Sequence, residues 1–189
     1  MTRLILASGS PRRAEMTARL TSEFRIVVPD IDETMVEGES PEKMVERLAV
    51  EKAGAVIEKT GARLPVLAAD TIVVHERVLG KPSDENDAYT MLRELAGDSH
   101  FVITGVAVIN PRTNKTVSFI EKTEVFFGPI SEDEIHEYVK SGEPMDKAGA
   151  YGIQGAGGKF ITKINGCFYN VMGYPLHKIY KCLRDLDII

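Results

Sequence analysis

The chain reads as an α/β protein in which short buried strands alternate with capped helices. Three observations carry that expectation. Leu4–Ala7 is an apolar run that passes through Ser8-Gly9-Ser10 into a helix. Ser10-Pro11 and Ser40-Pro41 each join a good N-cap to a proline at the first helical position, where the missing N–H costs nothing. Val66-Leu67-Ala68-Ala69 is continuously apolar, the pattern of a strand buried on both faces.

The remaining elements follow in order. Met16 and Leu20 lie one turn apart on the face of the first helix, and Phe24–Val28 reads as a strand stopped by Pro29. The helix opened by Ser40 carries the stripe Met44, Leu48, Ala49, Ala55 and Val56. Ile72 to Leu79 fits a hairpin around His75-Glu76-Arg77, and Ser83 is read as the N-cap of a helix with Ala88, Met91, Leu92 and Leu95 inward, closed by Gly97. His100–Ile109 and Thr116–Phe127 are β-branched and aromatic strands joined at residues 110–114. Ser131 and Glu134 make a capping box with Ile130 and Ile135 as its staple, and Ser141-Gly142 ends that helix. Phe160–Ile164, Asn165-Gly166 and Cys167–Val171 suggest a hairpin with a type I′ turn. A last helix places Leu176, Ile179, Tyr180, Leu183 and Leu186 in the core.

The 189 residues suffice for one sizeable domain or two small lobes, and the formal charge of −5 argues against a general nucleic-acid binder. It leaves room for an anionic small molecule in a local basic pocket. Two cysteines, Cys167 and Cys182, lack metal-site spacing and read as reduced thiols. No apolar run is long enough to span a bilayer, and the expectation is a cytoplasmic protein with no membrane partner.

The residues that stand out are charged groups at element ends. A strand, a Ser/Gly loop and a helix N-terminus form an anion site, because unpaired N–H groups and the positive dipole end point outward. Arg12 and Arg13 add two cations where that dipole disfavours them, so either a ligand anion offsets the cost or both are solvated. Lys52 falls inside the apolar stripe of its helix, where it snorkels or meets an anion, and is a better ligand candidate than Lys43 or Lys59. Asp70 lies in the apolar stretch LAADTIVV, where a carboxylate must be paired or put to use. Asp30, Asp32 and Glu33 follow a strand end, Asp30 and Asp32 reading as a solvated loop and Glu33 as either loop or cation ligand. Lys81 stands on a Gly-Lys-Pro turn. Gly149–Gly158 is glycine-dense without P-loop or dinucleotide-binding spacing; it is either turn-rich or open to a ligand, and Gln154 is its one amide, able to donate and accept at a base edge. The four histidines are scattered, against a zinc site or a Ser-His-Asp triad. Cations for phosphate beside carboxylates for metal or water point to a hydrolase acting on a phosphorylated ligand.

Ser8-Gly9-Ser10-Pro11-Arg12-Arg13, Asp32-Glu33-Thr34, Glu51-Lys52-Ala53, Ala69-Asp70-Thr71, Gly80-Lys81-Pro82, Asp146-Lys147-Ala148-Gly149 and Tyr151-Gly152-Ile153-Gln154-Gly155 resemble, in order, the Maf family of nucleoside triphosphate pyrophosphatases. The resemblance implies one domain over residues 1–189, with an elongated mixed sheet, flanking helices and two lobes around a deep cleft as in inosine triphosphatases. It also implies a homodimer, and Mg²⁺- or Mn²⁺-dependent cleavage of nucleoside triphosphates between the α- and β-phosphates. It makes Asp70 the catalytic carboxylate, Glu33 and Asp70 metal ligands, and Ser8, Arg13, Lys52 and Lys81 phosphate binders. Arg12, Thr71 and Gln154 match the branch that cleaves dTTP and UTP, whereas the branch acting on 7-methyl-GTP carries Trp, Gln and Glu at those places. The family is linked to clearing non-standard nucleotides and to arrest of cell division. The alternative is a non-catalytic nucleotide-binding regulator of division; a carboxylate set among apolar residues argues against it.

Overall fold

A computed structural model describes residues 3–189 as a mixed α/β protein. The strands are β1 (Leu4–Ala7), β2 (Phe24–Val27), β3 (Val66–Val74), β4 (Val78–Leu79), β5 (Ser99–Asn110), β6 (Lys115–Phe127) and β7 (Ile161–Asn165). They form one sheet in the order β2-β1-β3-β5-β6-β7, with β4 paired to β3. The helices are α1 (Pro11–Ala18), α2 (Pro41–Thr60), α3 (Glu85–Leu95), α4 (Glu132–Lys140), the single turn α5 (Phe168–Val171) and α6 (Leu176–Asp185). Among the described residues no helix is long and apolar enough to cross a membrane. The chain divides into two compact units. One comprises the described residues up to Asp70, Thr104–Glu121 and Gly173–Ile189; the other comprises Thr71–Ile103 and Lys122–Met172.

In the first unit β1 is central and parallel to both neighbours, with Ala7 beside Val27 of β2 and Ala68 of β3. Ser10 and Ser40 cap α1 and α2 as their sequence context demands, each accepting the N–H three residues on. Ile5, Ala7, Val66 and Ala68 pack against Ala53 and Val56 of α2. The α2 stripe differs from expectation at three positions: Val45 and Ala53 are buried and Ala55 is only half-buried. α2 crosses β5 at Gly105, where an added Cβ would stand 2.1 Å from the Val45 carbonyl oxygen. Only glycine permits that approach, and it fixes the height of α2 over the sheet. α1 ends at Ala18, leaving Leu20 half-buried beyond it, and α6 buries Ile179, Cys182 and Leu183 while Tyr180 is exposed and Leu186 lies past its end.

In the second unit Val73 and Val74 pair with Leu79 and Val78 to close the expected hairpin. β3 is longer than its apolar start suggests, so Asp70 and Thr71 lie within a continuous strand. The cap of α3 is Asp84, whose side chain accepts from Asp87 N–H at 2.8 Å, rather than Ser83, which donates instead to the Asp87 carboxylate. Cys167–Val171 does not return as a strand. Thr123 Oγ1 accepts the Cys167 N–H at 3.0 Å, and buried Asn170 donates to the Val102 carbonyl and to Thr123, so the chain turns into α5 after Gly166. The core here joins Val73, Met91, Leu92, Phe127, Ile135 and Tyr151.

His100 is a buried polar member of that core, 1% exposed, with Nε2 at 2.7 Å from the Tyr151 hydroxyl and the rings of Phe127 and Tyr151 edge-on to it. Its Nδ1 is buried without a hydrogen-bond partner. Burial pushes its pKa down to about 4, the neighbouring His75 adding to that and Asp98 opposing it.

Two outcomes follow from this packing. Gly105→Ala should destabilise the protein by about 3 kcal/mol in urea titrations, whereas Gly54→Ala, where a Cβ meets nothing within 4 Å, should be neutral or gain about 0.5–1 kcal/mol. The unfolded chain protonates His100 near pH 6.5 and the folded chain only near pH 4, so stability falls as pH drops through that window, by up to about 3 kcal/mol. Urea titrations at pH 7 and pH 4.5 should show this loss, and the double variant His100→Phe/Tyr151→Phe should flatten it.

Candidate active site

β1, β2 and β3 run parallel, so their C-terminal ends share one edge, the usual place for a ligand in such a sheet. Three sequence candidates arrive there directly. Ser8 follows β1, the acidic loop of Glu33 follows β2, and Asp70 lies two residues beyond the register partner of Ala7. The Ser8-Gly9-Ser10 loop braces itself: Ser8 Oγ accepts the Ser10 N–H at 3.1 Å, and Ser10 Oγ accepts the Arg13 N–H. Ser8 is 4% exposed.

Alternation along β3 puts Asp70 on the same face as Val66 and Ala68, the face covered by α2. On α2, Lys52 shares the buried stripe with Leu48 and Val56, one turn away on either side. The two meet: Lys52 Nζ lies 2.5 Å from Asp70 Oδ1, with both residues only 6% exposed. Neither charge could stay there alone, since an unpaired buried ion costs several kcal/mol. Lys52 Nζ also reaches Glu33 Oε1 at 2.9 Å, from a Glu33 side chain that is mostly exposed. The ammonium is thus shared by a buried carboxylate and an exposed one.

Arg13 is built into the same place. Its Nε donates to the Gly173 carbonyl at 3.0 Å and Nη1 to the Ala69 carbonyl at 2.7 Å, joining α1 to β3 beside Asp70. Burial lowers its pKa; the Asp70 and Glu33 carboxylates oppose that, and Arg12 reinforces it. Three cations, Arg12, Arg13 and Lys52, and two carboxylates therefore act on one another within the first unit, an excess of positive charge suited to an anion.

Two contributors had no signal in the sequence. Thr17 donates to the Arg13 carbonyl at 2.8 Å, and Tyr174 OH, fully buried, lies 2.9 Å from Thr17 Oγ1. Because the Thr17 proton is already committed, the Tyr174 hydroxyl is the donor; burial raises its pKa and keeps it protonated. Arg47 holds the Glu33 loop, donating to Thr34 O at 3.2 Å and pairing with Glu39 at 2.7 Å through both Nε and Nη2. The i,i+4 spacing of Arg47 and Glu51 hinted at a helix-surface pair, but not at this span of thirteen residues.

Asp70 and Glu33 offer two carboxylates converging on one cation, here the Lys52 ammonium. That hard-oxygen donor set fits Mg²⁺ or Mn²⁺, which take one or two carboxylates and complete their shell with water and phosphate oxygens. Among the described residues no three His, Cys, Asp or Glu side chains gather into a metal site.

Thr71, Lys81 and Gln154 belong to the second unit. Thr71 is half-buried on β3, and Lys81 and Gln154 are exposed. The Gly149 N–H donates to the Gly80 carbonyl at 3.0 Å, tying the turn of Lys81 to the start of the glycine-dense segment. Gly152, Gly155 and Gly157 of that segment closely approach side chains of this protein, Lys147, Glu143 and Tyr138.

The model for Maf-like proteins matches residues 3–186. A dTTP/UTP pyrophosphatase of Bacillus cereus (strain G9842) is 48% identical over 189 residues, covering 100% of this chain and 97% of that protein. A dTTP/UTP pyrophosphatase of Clostridium perfringens (strain SM101 / Type A) is 45% identical over 188 residues, covering 98% of each. Among solved structures, a HAM1 protein from Coxiella burnetii shares the fold, with a TM-score of 0.54 at 18% identity, over 98% of this chain and 100% of that one. With the family model matched over nearly its whole length and relatives 45% and 48% identical along it, this chain belongs to the Maf family.

Proposed function

We propose that this protein is a pyrophosphatase of pyrimidine nucleoside triphosphates, hydrolysing dTTP and UTP to the nucleoside monophosphate and pyrophosphate. The observation that carries the reading is Asp70: a buried carboxylate held by a buried lysine, at the C-terminal edge of parallel strands and beside a serine loop with adjacent arginines. The names of the full-length relatives support the substrate class.

In this reading Asp70 takes a proton from the water that attacks the α-phosphorus, and the bond to the bridging oxygen of the β-phosphate breaks, releasing pyrophosphate. Lys52 pairs with Asp70 until substrate enters, then shares its charge with the phosphate oxygens. Arg13, already oriented by two carbonyls, and Ser8, within the capped loop, bind phosphate, as does Lys81. Asp70 and Glu33 would hold Mg²⁺ or Mn²⁺, which would supply neutralisation of the developing phosphate charge. Arg12, Thr71 and Gln154 set the preference for the base, Gln154 with an amide that both donates and accepts. The family resemblance extends the proposal to a cytoplasmic homodimer that clears non-standard nucleotides.

Pyrophosphate release measured with dTTP, UTP, CTP, GTP and 7-methyl-GTP, with Mg²⁺ or Mn²⁺, should favour the first two. Asp70→Asn should lower kcat by about 10²- to 10⁴-fold with an unchanged circular dichroism spectrum. Near-wild-type turnover in that variant would remove Asp70 from the reaction, and nucleotide binding with no release from any substrate would leave a binding regulator instead. Gln154→Glu should lower kcat/KM for dTTP and UTP by about tenfold or more, because the carboxylate cannot donate; unchanged relative rates would show that residue 154 does not read the base.

A further inference from the structure

We propose that Glu143 is a positioning residue for nucleotide selection, its carboxylate serving as the internal anion around which the Gln154 segment is folded; this rests on the assignment of Gln154 to the base. Glu143 follows Gly142 in the short 3₁₀ turn Glu143–Asp146. Its Oε2 accepts the Ala156 N–H at 3.0 Å and its Oε1 accepts the Gly157 N–H at 3.3 Å, the second and third residues after Gln154. Oε1 also accepts the Tyr138 hydroxyl at 2.8 Å, and that hydroxyl in turn accepts the Gly152 N–H at 3.2 Å. Gln154 is thus bracketed on both sides by backbone N–H groups that end on one carboxylate, directly or through Tyr138.

The glycines are shaped to this anion. A Cβ on Gly155 would lie 2.2 Å from Glu143 Oε1, and one on Gly157 would lie 2.5 Å from the Tyr138 hydroxyl. Two successive N–H groups turned toward one carboxylate form an anion-binding concavity, and here it is filled from within the chain. The lowered pKa of Glu143 and the raised pKa of Tyr138 agree with a carboxylate kept charged and a phenol kept as donor. Gln154 itself makes none of these bonds and is exposed at the crest of the turn. Its backbone is held while its amide remains available.

Glu143→Gln tests this at constant size. An amide keeps one acceptor oxygen but turns an N–H₂ donor toward the Ala156 or Gly157 N–H, so at least one loop bond is lost. Tyr138→Phe removes the indirect arm alone. The variants and Gln154→Ala are compared by amide hydrogen exchange at residues 152–157, by thermal melting, and by kcat and KM for dTTP, UTP, CTP and GTP. The proposal expects Glu143→Gln to speed exchange at Ala156 and Gly157 and to raise KM for dTTP and UTP about tenfold with kcat within about twofold. KM for CTP and GTP should hardly change, and Tyr138→Phe should follow in the same direction by a smaller factor. If Gln154→Ala weakens discrimination while Glu143→Gln loosens the segment and leaves every KM unchanged, the positioning role is overturned and the base assignment survives. If Gln154→Ala leaves discrimination intact, the base assignment falls and this role with it. A uniform fall in kcat for all nucleotides in Glu143→Gln would also overturn it, by assigning the residue to chemistry or to general stability.

Discussion

The first unit is organised around the burial of one ammonium against one carboxylate. Lys52 and Asp70 are each almost wholly removed from water, and each is tolerable there only because of the other. The pair can meet only if α2 lies at the right height and rotation over β3. Gly105 sets the height by admitting the Val45 carbonyl against the sheet, and the apolar stripe of Leu48, Ala53 and Val56 sets the rotation. An interaction that contributes little to net stability therefore places exacting demands on the packing around it. That combination is expected where a buried charge is retained for chemistry.

Around this pair the other charges differ in freedom. Arg13 has two donors committed to backbone carbonyls, and its own carbonyl is held by Thr17 and Tyr174, so its guanidinium is oriented before any ligand arrives. Glu33 is the opposite case. Its side chain is largely exposed, on a loop secured to α2 by Arg47 at Thr34 and Glu39, and it meets Lys52 from the solvent side. With Arg13 already fixed and Glu33 meeting Lys52 from the solvent side, a phosphate entering the site would displace carboxylate from the lysine without moving the arginine. In the proposed reaction, that exchange frees Asp70 to receive a proton.

The second unit shows a different use of backbone. Its glycine-dense segment has neither the spacing nor the helix of a phosphate-binding loop, and Gly152, Gly155 and Gly157 in it closely approach Lys147, Glu143 and Tyr138. Glycine is required there because the chain must wrap its own side chains at distances no Cβ allows. The outcome is a short irregular stretch with the N–H groups of Gly152, Gly155, Ala156, Gly157 and Gly158 bonded within the protein and one polar side chain left outward, which suits a recognition element.

Sequence alone determined the local order of this protein. The caps at Ser10, Ser40 and Ser131, the buried run entering β3 and the apolar faces of α2 and α3 follow from short-range propensity and periodicity, which need no tertiary partner. It also singled out Lys52 and Asp70, because a charge in an apolar pattern is conspicuous wherever the chain folds. Tertiary structure decided everything that depends on contacts far apart in the chain. That Lys52 meets Asp70 and Glu33, that Arg13 is held by Gly173 across 160 residues, and that Tyr174 and Arg47 brace the site could not be read from spacing. At one place a long-range bond prevailed over a local preference: Asn165-Gly166 suited a two-residue hairpin, but Thr123 and the buried Asn170 amide turned Cys167–Val171 into a helical turn. Local preferences are worth a few tenths of a kcal/mol per residue, whereas a buried polar group left without its partner costs one or more kcal/mol, so the satisfaction of buried polar groups overrides them.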